Sequence, residues 1–187
     1  SRSPTLTLVV AFVVVFLVQR VVGVLGIPIA FALSAPVDHQ PWTVVTSVYA
    51  HFSVGHLVGN VVVLLLVGLY LERQTSRVRF HAFFLATGAL AGLSEVWVSD
   101  LVGPSVAVLG ASGGIAGLVG YLLAGNRMSD TILDRTPLSP RAQLAIFVVV
   151  AGAITVYTAG RGVALVAHFT GLLIGLLAGR AHLLRPR

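Results

Sequence analysis

The chain has 187 residues, of which 57% are hydrophobic and only 10% are charged, and its mean hydropathy is +0.98. A soluble domain carries about 25% charged residues, so this composition excludes a protein covered by polar surface and indicates an integral membrane protein. The net charge of +6 comes from 12 arginines in short clusters between apolar runs, which is typical of topology signals and not of a nucleic-acid-binding face, and the absence of cysteine excludes disulfides and thiol catalysis.

Six apolar runs follow one another along the chain, each a candidate for a helix that crosses ~30 Å of hydrocarbon. They cover residues 5–26, 51–71, 80–98, 112–125, 142–157 and 162–183. Because no repeat or linker interrupts them, the sequence predicts an all-α, polytopic six-transmembrane-helix bundle that forms a single domain over residues 1–187. The longest connection, residues 27–50, contains Pro28, Pro36 and Pro41 and is predicted to be a loop at the surface or against lipid.

The arginines predict the orientation of this bundle. The loops after the second and fourth runs and the C-terminal tail carry three arginines each, whereas residues 27–50 and 99–110 carry none. The positive-inside rule therefore places both termini in the cytoplasm. Arg20, near the outer end of the first helix, is an exception that can snorkel to the interface. The compact, all-arginine chain suggests a prokaryotic cell membrane.

The fourth run is too short to cross the membrane. From Ser112 to Gly125 it makes only ~21 Å of helix, about 9–10 Å less than a full span. We therefore expect this helix to begin inside the bilayer, after a non-helical segment that dips in from residues 99–109. Such backbone is tolerated at depth only where protein or a water-filled cavity surrounds it.

Polar side chains on the second, fourth and sixth helices fall at one level near the outer side. His168 lies ~9 Å below the outer end of its helix, His56 lies about as deep, and Asn60 follows His56 one turn further on the same face. Ser112 begins the fourth helix. Polar residues inside a membrane mark functional sites by default. Glycines spaced by four let membrane helices approach closely, and here they are Gly113 and Gly117 on the fourth helix and Gly171, Gly175 and Gly179 on the sixth.

A serine beside a neutral histidine in a desolvated site can act as a nucleophile with the imidazole as its base. No carboxylate lies near this level in the three helices, so the sequence predicts a dyad of Ser112 and His168. The Ser112 backbone N–H, the Asn60 amide and the His56 ring are candidate donors to an oxyanion. Two simpler interpretations stay open: Ser112 as a helix N-cap, and His56 with Asn60 as interhelical hydrogen-bonding groups.

The remaining polar residues are predicted to have no catalytic role. Glu95 and Asp100 lie at the outer end of the third helix, where solvated or interfacial positions are expected. His51 and His56 are five apart, which puts them on different helix faces, and no HExxH is present, so neither a metal nor a cofactor is predicted. His51 is expected to be a structural residue at the junction of loop and helix.

Three blocks of this sequence resemble the rhomboid family of intramembrane serine proteases. The first, PWTVVTSVYAHFSVGHLVGN, contains the pattern His-x4-His-x3-Asn at His51, His56 and Asn60. The second is GASG at residues 110–113, which includes Gly110, and the third is AHFTGLLIG at residues 167–175. GASG alone is weak, but the three blocks in order on helices two, four and six are highly specific.

The resemblance implies a six-helix bundle with a water-filled cavity open to the outer side. It implies a dyad of Ser112 and His168, with His56 and Asn60 contributing to the oxyanion hole. The implied partners are membrane lipid and single-span transmembrane protein substrates, cut near their outer end, and not nucleic acid; no oligomeric state is predicted. The fifth helix and the loop over residues 158–162 would act as gate and cap.

Two positions depart from the family's pattern. Thr43 follows Trp42, where family members often have arginine, which leaves the anchoring of that loop open. Ala116 stands four residues after the nucleophile, where an aromatic often stacks on the base, so His168 is either held less rigidly or braced from elsewhere. The alternative function is that of a non-catalytic rhomboid-like protein that binds or escorts membrane clients. Such relatives usually lack the serine or the histidine, and this chain keeps both.

Overall fold

The computed structural model describes residues 3–27, 29–136, 138–160 and 163–185. Within these ranges the chain forms eight α-helices and two short 3-10 helices, Val37–His39 and Glu72–Gln74. The α-helices are α1 Pro4–Val24, α2 Thr43–Tyr49, α3 Val54–Leu71, α4 Arg77–Val102, α5 Ser112–Ala124, α6 Arg127–Arg135, α7 Pro140–Tyr157 and α8 Leu165–Arg180.

The six predicted apolar runs correspond to α1, α3, α4, α5, α7 and α8, so the all-helical class is confirmed. Four of them, α1, α3, α4 and α7, are long and apolar enough to cross a membrane, and the chain is an integral membrane bundle. The other two apolar helices, α5 and α8, have 13 and 16 residues, which is short of a full span. A count of six membrane spans therefore stays a prediction.

The four long helices share one type of N-terminus. In each of them a serine hydroxyl accepts a hydrogen bond from the backbone N–H three residues later, which satisfies one of the free donors of the first turn. These N-caps are Ser3, Ser53, Ser76 and Ser139. Because Ser53 is a cap, α3 begins at Val54, three residues later than the sequence predicted. By contrast, α5 and α8 follow Ala111 and Ala164, which have no side chain able to cap them.

The two short helices form the centre of the bundle and touch through their backbones. A Cβ atom at Gly171 would lie 2.3 Å from the carbonyl oxygen of Gly113, and one at Gly175 would lie 2.2 Å from that of Gly117. Any side chain larger than hydrogen would therefore force α5 and α8 apart, as the spacing of four predicts for close-packed membrane helices. We call this α5–α8 contact the glycine seam.

Helix α5 also packs on α4. A Cβ atom at Gly113 would lie 2.7 Å from the Cβ of Ala91, and one at Gly117 would lie 2.4 Å from the Cγ2 of Thr87. Helix α5 is thus held closely on two sides, by α8 and by α4. The residue that begins it, Ser112, is fixed in position by these contacts.

The long connection before α2 is only partly a surface loop, contrary to the prediction. Leu33 is fully buried and exchanges two backbone hydrogen bonds of 2.8 Å with Val108, across an isolated antiparallel bridge. Residues 43–49, predicted as loop, form α2. The indole of Trp42 donates to the carbonyl of Ala30 at 3.1 Å, and the Thr43 hydroxyl donates to the carbonyl of Gln40 at 2.6 Å. These two bonds anchor the loop in the absence of an arginine at position 43.

A carboxylate from another helix caps the first turn of α1. Glu72, just after α3, accepts hydrogen bonds from the backbone N–H of Thr5 at 3.1 Å and from the hydroxyl of Ser3 at 2.6 Å. An acidic group at a helix N-terminus is favoured by the unpaired N–H groups and by the helix dipole. Glu72 therefore fastens α1 to the end of α3 that lies away from His56.

Candidate functional site

Ser112 lies at the first position of α5, two residues after Gly110, whose backbone conformation favours glycine. Gly110 has a φ of 138°, a region that side chains disfavour, and its N–H donates to the carbonyl of Ser47 at 2.9 Å. Ala111 occupies the N-cap position, so Ser112 is not the cap of α5. Its hydroxyl is left at the N-terminus of a helix, where free N–H groups favour negative charge.

The ring of His56 lies against the backbone that leads into Ser112. A Cβ atom at Gly110 would lie 2.6 Å from the Cε1 of His56, so the glycine makes room for this ring. The ring also contacts that of Phe52, with 4.4 Å between the centroids and an angle of 35° between the planes. Its Nδ1 is buried and has no hydrogen-bond partner among the described residues.

His51 lies at the predicted junction of loop and helix, just before α3. Its contact with His56 was not predicted from the sequence. The two ring centroids are 5.1 Å apart, so the expectation of different helix faces is wrong: His51 is not part of the helix. The His51 backbone N–H donates to Gln19 Oε1 at 3.0 Å, and its Nδ1 donates to the carbonyl of Tyr49 at 3.1 Å. Its ring is fully buried.

Arg20, the neighbour of Gln19 on α1, also bonds to the segment between α2 and α3. Its guanidinium donates to the carbonyl of Phe52 and lies 4.5 Å from the ring centroid of Phe16. Arg20, near the C-terminal end of α1, therefore stabilises the chain just before His56.

Among the described residues no three histidine or carboxylate side chains gather as metal ligands would.

Asn60 follows His56 by one turn of α3 and is 7% exposed. Its amide nitrogen is buried and has no hydrogen-bond partner in the described part of the chain. A buried donor without a partner costs about 1–3 kcal/mol, and such groups in native proteins need an explanation such as a catalytic role. Neither this nitrogen nor His56 Nδ1 makes the interhelical hydrogen bond that the simpler interpretation requires.

His168 lies in the first turn of α8, and residues on both sides of it are bonded to α4. The backbone N–H of Ala167 donates to the carboxylate of Glu95 at 2.9 Å, and the hydroxyls of Thr170 and Ser94 are hydrogen-bonded at 2.9 Å. Glu95 is half-buried, and its bond to α8 is a contact that the sequence did not predict. Sequence reasoning missed this residue, although an ionisable group inside an apolar helix is by itself a signal of function.

Four of the predicted site residues line one cavity of about 680 Å³. Its polar lining includes Ser112 of α5, His168 of α8, and His56 and Asn60 of α3, together with Ser53 and Thr158, and Ile154 of α7 also lines it. Most of the remaining lining is apolar, with Val63, Ile115, Ala116, Val119 and Leu172 among it. Ser112 and His168 line the same cavity but are not hydrogen-bonded to each other.

The fold and the site together define a class of protein: a helical membrane bundle with serine, histidine and asparagine side chains on one cavity. The Rhomboid domain family profile matches residues 38–185, and the chain therefore belongs to the rhomboid family. The resemblance carried by the three sequence blocks is thus confirmed.

Two relatives illustrate the similarity. RHOMBOID-like protein 5 of Arabidopsis thaliana is 30% identical over 150 residues, which cover 80% of this chain and 47% of that protein. Rhomboid-related protein 3 of Homo sapiens is 39% identical over 85 residues, or 46% of this chain and 20% of that protein. The chain spans less than half the length of these curated relatives.

Proposed function

We propose that this protein is an intramembrane serine endopeptidase that cuts transmembrane proteins near the outer side of the bilayer. The observation that carries the proposal is the meeting of Ser112, His168, His56 and Asn60, from three separate helices, on a single cavity. Membership of the rhomboid family supports the same activity. The apolar remainder of the cavity wall suits a substrate that enters from lipid.

In the proposed reaction the Ser112 hydroxyl attacks the peptide carbonyl carbon while His168 takes up its proton. The resulting oxyanion is stabilised by N–H groups at the start of α5, by the amide of Asn60 and by the ring of His56. His168 then protonates the leaving amine, and water hydrolyses the acyl-enzyme.

Hydrolysis inside a bundle requires water at the serine. The cavity of about 680 Å³ has room for several waters, since each takes up ~30 Å³ in the liquid. Gly55 and Gly59 of α3 line the cavity, as do Ile154 of α7 and Thr158 just after it. We therefore place its opening to substrate between α3 and α7. The fifth apolar helix, α7, would then act as gate for the single-span substrate.

The proposed topology has six spans with both termini in the cytoplasm. The short helices α5 and α8 then begin below the outer surface, and the cavity opens outward, as the arginine distribution requires. An origin in a prokaryotic cell membrane stays a prediction, since the relatives named above come from a plant and from human.

The test is cleavage of a single-span substrate by the purified protein in detergent, beside Ser112→Ala and His168→Ala. We expect cleavage by the wild type alone, and labelling of the wild type but not of Ser112→Ala by a fluorophosphonate probe. Cleavage that survives in Ser112→Ala contradicts the nucleophile. If the wild type neither cuts several varied substrates nor reacts with the probe, the protein binds or escorts membrane clients instead.

A further inference from the structure

Helix α8 carries His168 in its first turn, yet it has no N-cap of its own. Ala164 precedes it and offers no side-chain oxygen, so the first free N–H groups need partners from elsewhere. The carboxylate of Glu95, on α4, supplies one by accepting from the N–H of Ala167 at 2.9 Å. A carboxylate is the strongest acceptor available for such a group, because the bond is charge-assisted and the helix dipole favours it.

A second bond between the same two helices lies just beyond His168. The hydroxyl of Ser94 donates to the carbonyl of Ala91 at 2.7 Å within α4, which leaves its oxygen to pair with the Thr170 hydroxyl at 2.9 Å. Neighbouring residues of α4 thus hold the residue before His168 and the residue two after it. The backbone that carries the imidazole is fixed on both sides.

The side of His168 toward α5 offers no comparable support. Ala116 lines the cavity beside His168, where the family's pattern often has an aromatic. The methyl group of Ala116 contacts α8 at Gly171, where an added Cβ would lie 3.1 Å from it. A methyl group cannot stack on an imidazole, so the orientation of the base depends on how firmly the first turn of α8 is held.

We propose that Glu95, assisted by Ser94, is a positioning residue for His168, which it aims at Ser112 by capping the first turn of α8 from α4. The proposal rests on the proposed protease function. In this proposal α4 holds the imidazole of His168 in place, because Ala116 on α5 has no aromatic ring to stack on it. Glu95 does not touch the reacting atoms, and its effect passes through Ala167.

A matched control exists in the same chain. Glu72 also caps a helix from outside it, by accepting from the N–H of Thr5 at 3.1 Å, but it lies at the other end of α3 and away from the cavity. Glu72→Ala removes the same kind of bond without touching α8. It separates loss of a cap in general from loss of this cap in particular.

The kinetic test compares Glu95→Ala, Glu95→Gln and Glu72→Ala with the wild type in detergent. We expect Glu95→Ala to lower kcat for a single-span substrate on the order of 10-fold to 100-fold with KM unchanged, since ~1 Å of misplacement can cost that much. Glu95→Gln keeps a neutral acceptor and should stay within roughly threefold of the wild type. Glu72→Ala should lower the unfolding temperature and leave kcat unchanged. Equal kcat in Glu95→Ala and wild type, no rescue by glutamine, or an equal loss in Glu72→Ala would overturn the proposal.

A second readout does not depend on activity. In protein labelled with ¹⁵N-histidine, the ring signals of His168 are assigned by their loss in His168→Ala. Hydrogen exchange of the Ala167 amide is followed in a second sample labelled with ¹⁵N-alanine. We expect Glu95→Ala to shift or broaden the His168 signals and to speed exchange at Ala167, and Glu95→Gln and Glu72→Ala to leave both near the wild type. Unchanged signals in Glu95→Ala overturn the positioning role. An inactive wild type with the expected shifts instead refutes the protease function and leaves the cap standing.

Discussion

Glycine has opposite effects at two places in the bundle, the α5–α8 contact and the cavity wall of α3. On the glycine seam, a Cβ atom at Gly175 would lie 2.2 Å from the carbonyl oxygen of Gly117, so the backbones are in contact. On the cavity, Gly59 of α3 has no atom within 4 Å of the place a Cβ would take. The same residue type closes one side of the bundle and leaves the other open.

This difference shows where the bundle is rigid and where it can admit a substrate. Lipid offers helices no hydrophobic reason to associate, so close van der Waals contact of the kind found on the seam must hold them together. Helix α7 has no such glycine contact in the described structure, and Val149, Val156 and Tyr157 on it are 68%, 74% and 90% exposed. The serine and histidine are thus carried by the closely packed pair, and the proposed opening lies beside α7.

The largest expected effect comes from filling the seam. Gly175→Ala should lower the free energy of unfolding by at least about 3 kcal/mol, because α5 and α8 must separate to admit the methyl group. Gly59→Ala is the matched control, and it should be neutral or stabilise by up to about 1 kcal/mol, since alanine is the better helix former. Thermal or denaturant unfolding in detergent measures both. Equal destabilisation by the two substitutions would remove the distinction between the closed and open sides.

The unpartnered donors on the open side should matter for turnover and not for folding. His56→Ala or Asn60→Ala should each lower turnover on the order of 10²-fold, the usual cost of removing one oxyanion donor. The Asn60 amide nitrogen has no partner in the described structure, so its removal should leave the unfolding temperature within a few degrees of the wild type. Full activity in both single variants would rule out the oxyanion assignment.

Filling the open side should impair substrate entry more than the chemistry. Gly59→Leu places a large side chain in the cavity, and we expect it to raise KM for a single-span substrate on the order of tenfold, about 1.4 kcal/mol. A small fluorophosphonate should label Ser112 within about twofold of the wild-type rate, since the serine itself is unchanged. An unchanged KM would show that the substrate does not pass Gly59.

The smallest expected effect lies at the end of α8 away from His168. Arg180 and Asp134 form an ion pair of 3.0 Å whose side chains are 31% and 63% exposed. Asp134→Ala should cost less than about 1 kcal/mol of unfolding free energy, because water screens such pairs, and kcat should not change. A larger loss would mean that this pair, and not the seam alone, holds the end of α8.

Sequence reasoning located the six apolar helices and the residues on the cavity. It missed elements whose apolar and polar residues alternate without a clear hydropathy signal. Helix α2 and the buried Leu33 lie in a segment rich in proline, whose composition is that of a loop. The start of α3 was placed too early because hydropathy does not register a serine cap. Glu95 was assigned to the surface, since its partner is a backbone N–H on a helix 72 residues away.

The sequence by itself determined that this chain is a helical membrane bundle, because its backbone must satisfy its own hydrogen bonds in lipid and its apolar runs have the length for it. Its three motif blocks also determined the family. Only the tertiary structure decided that the ring of His56 rests on Gly110, that His51 touches His56, and that Glu95 caps the helix of His168. Such contacts depend on how each helix is rotated and how deep it lies against its neighbours, which spacing along one helix does not specify.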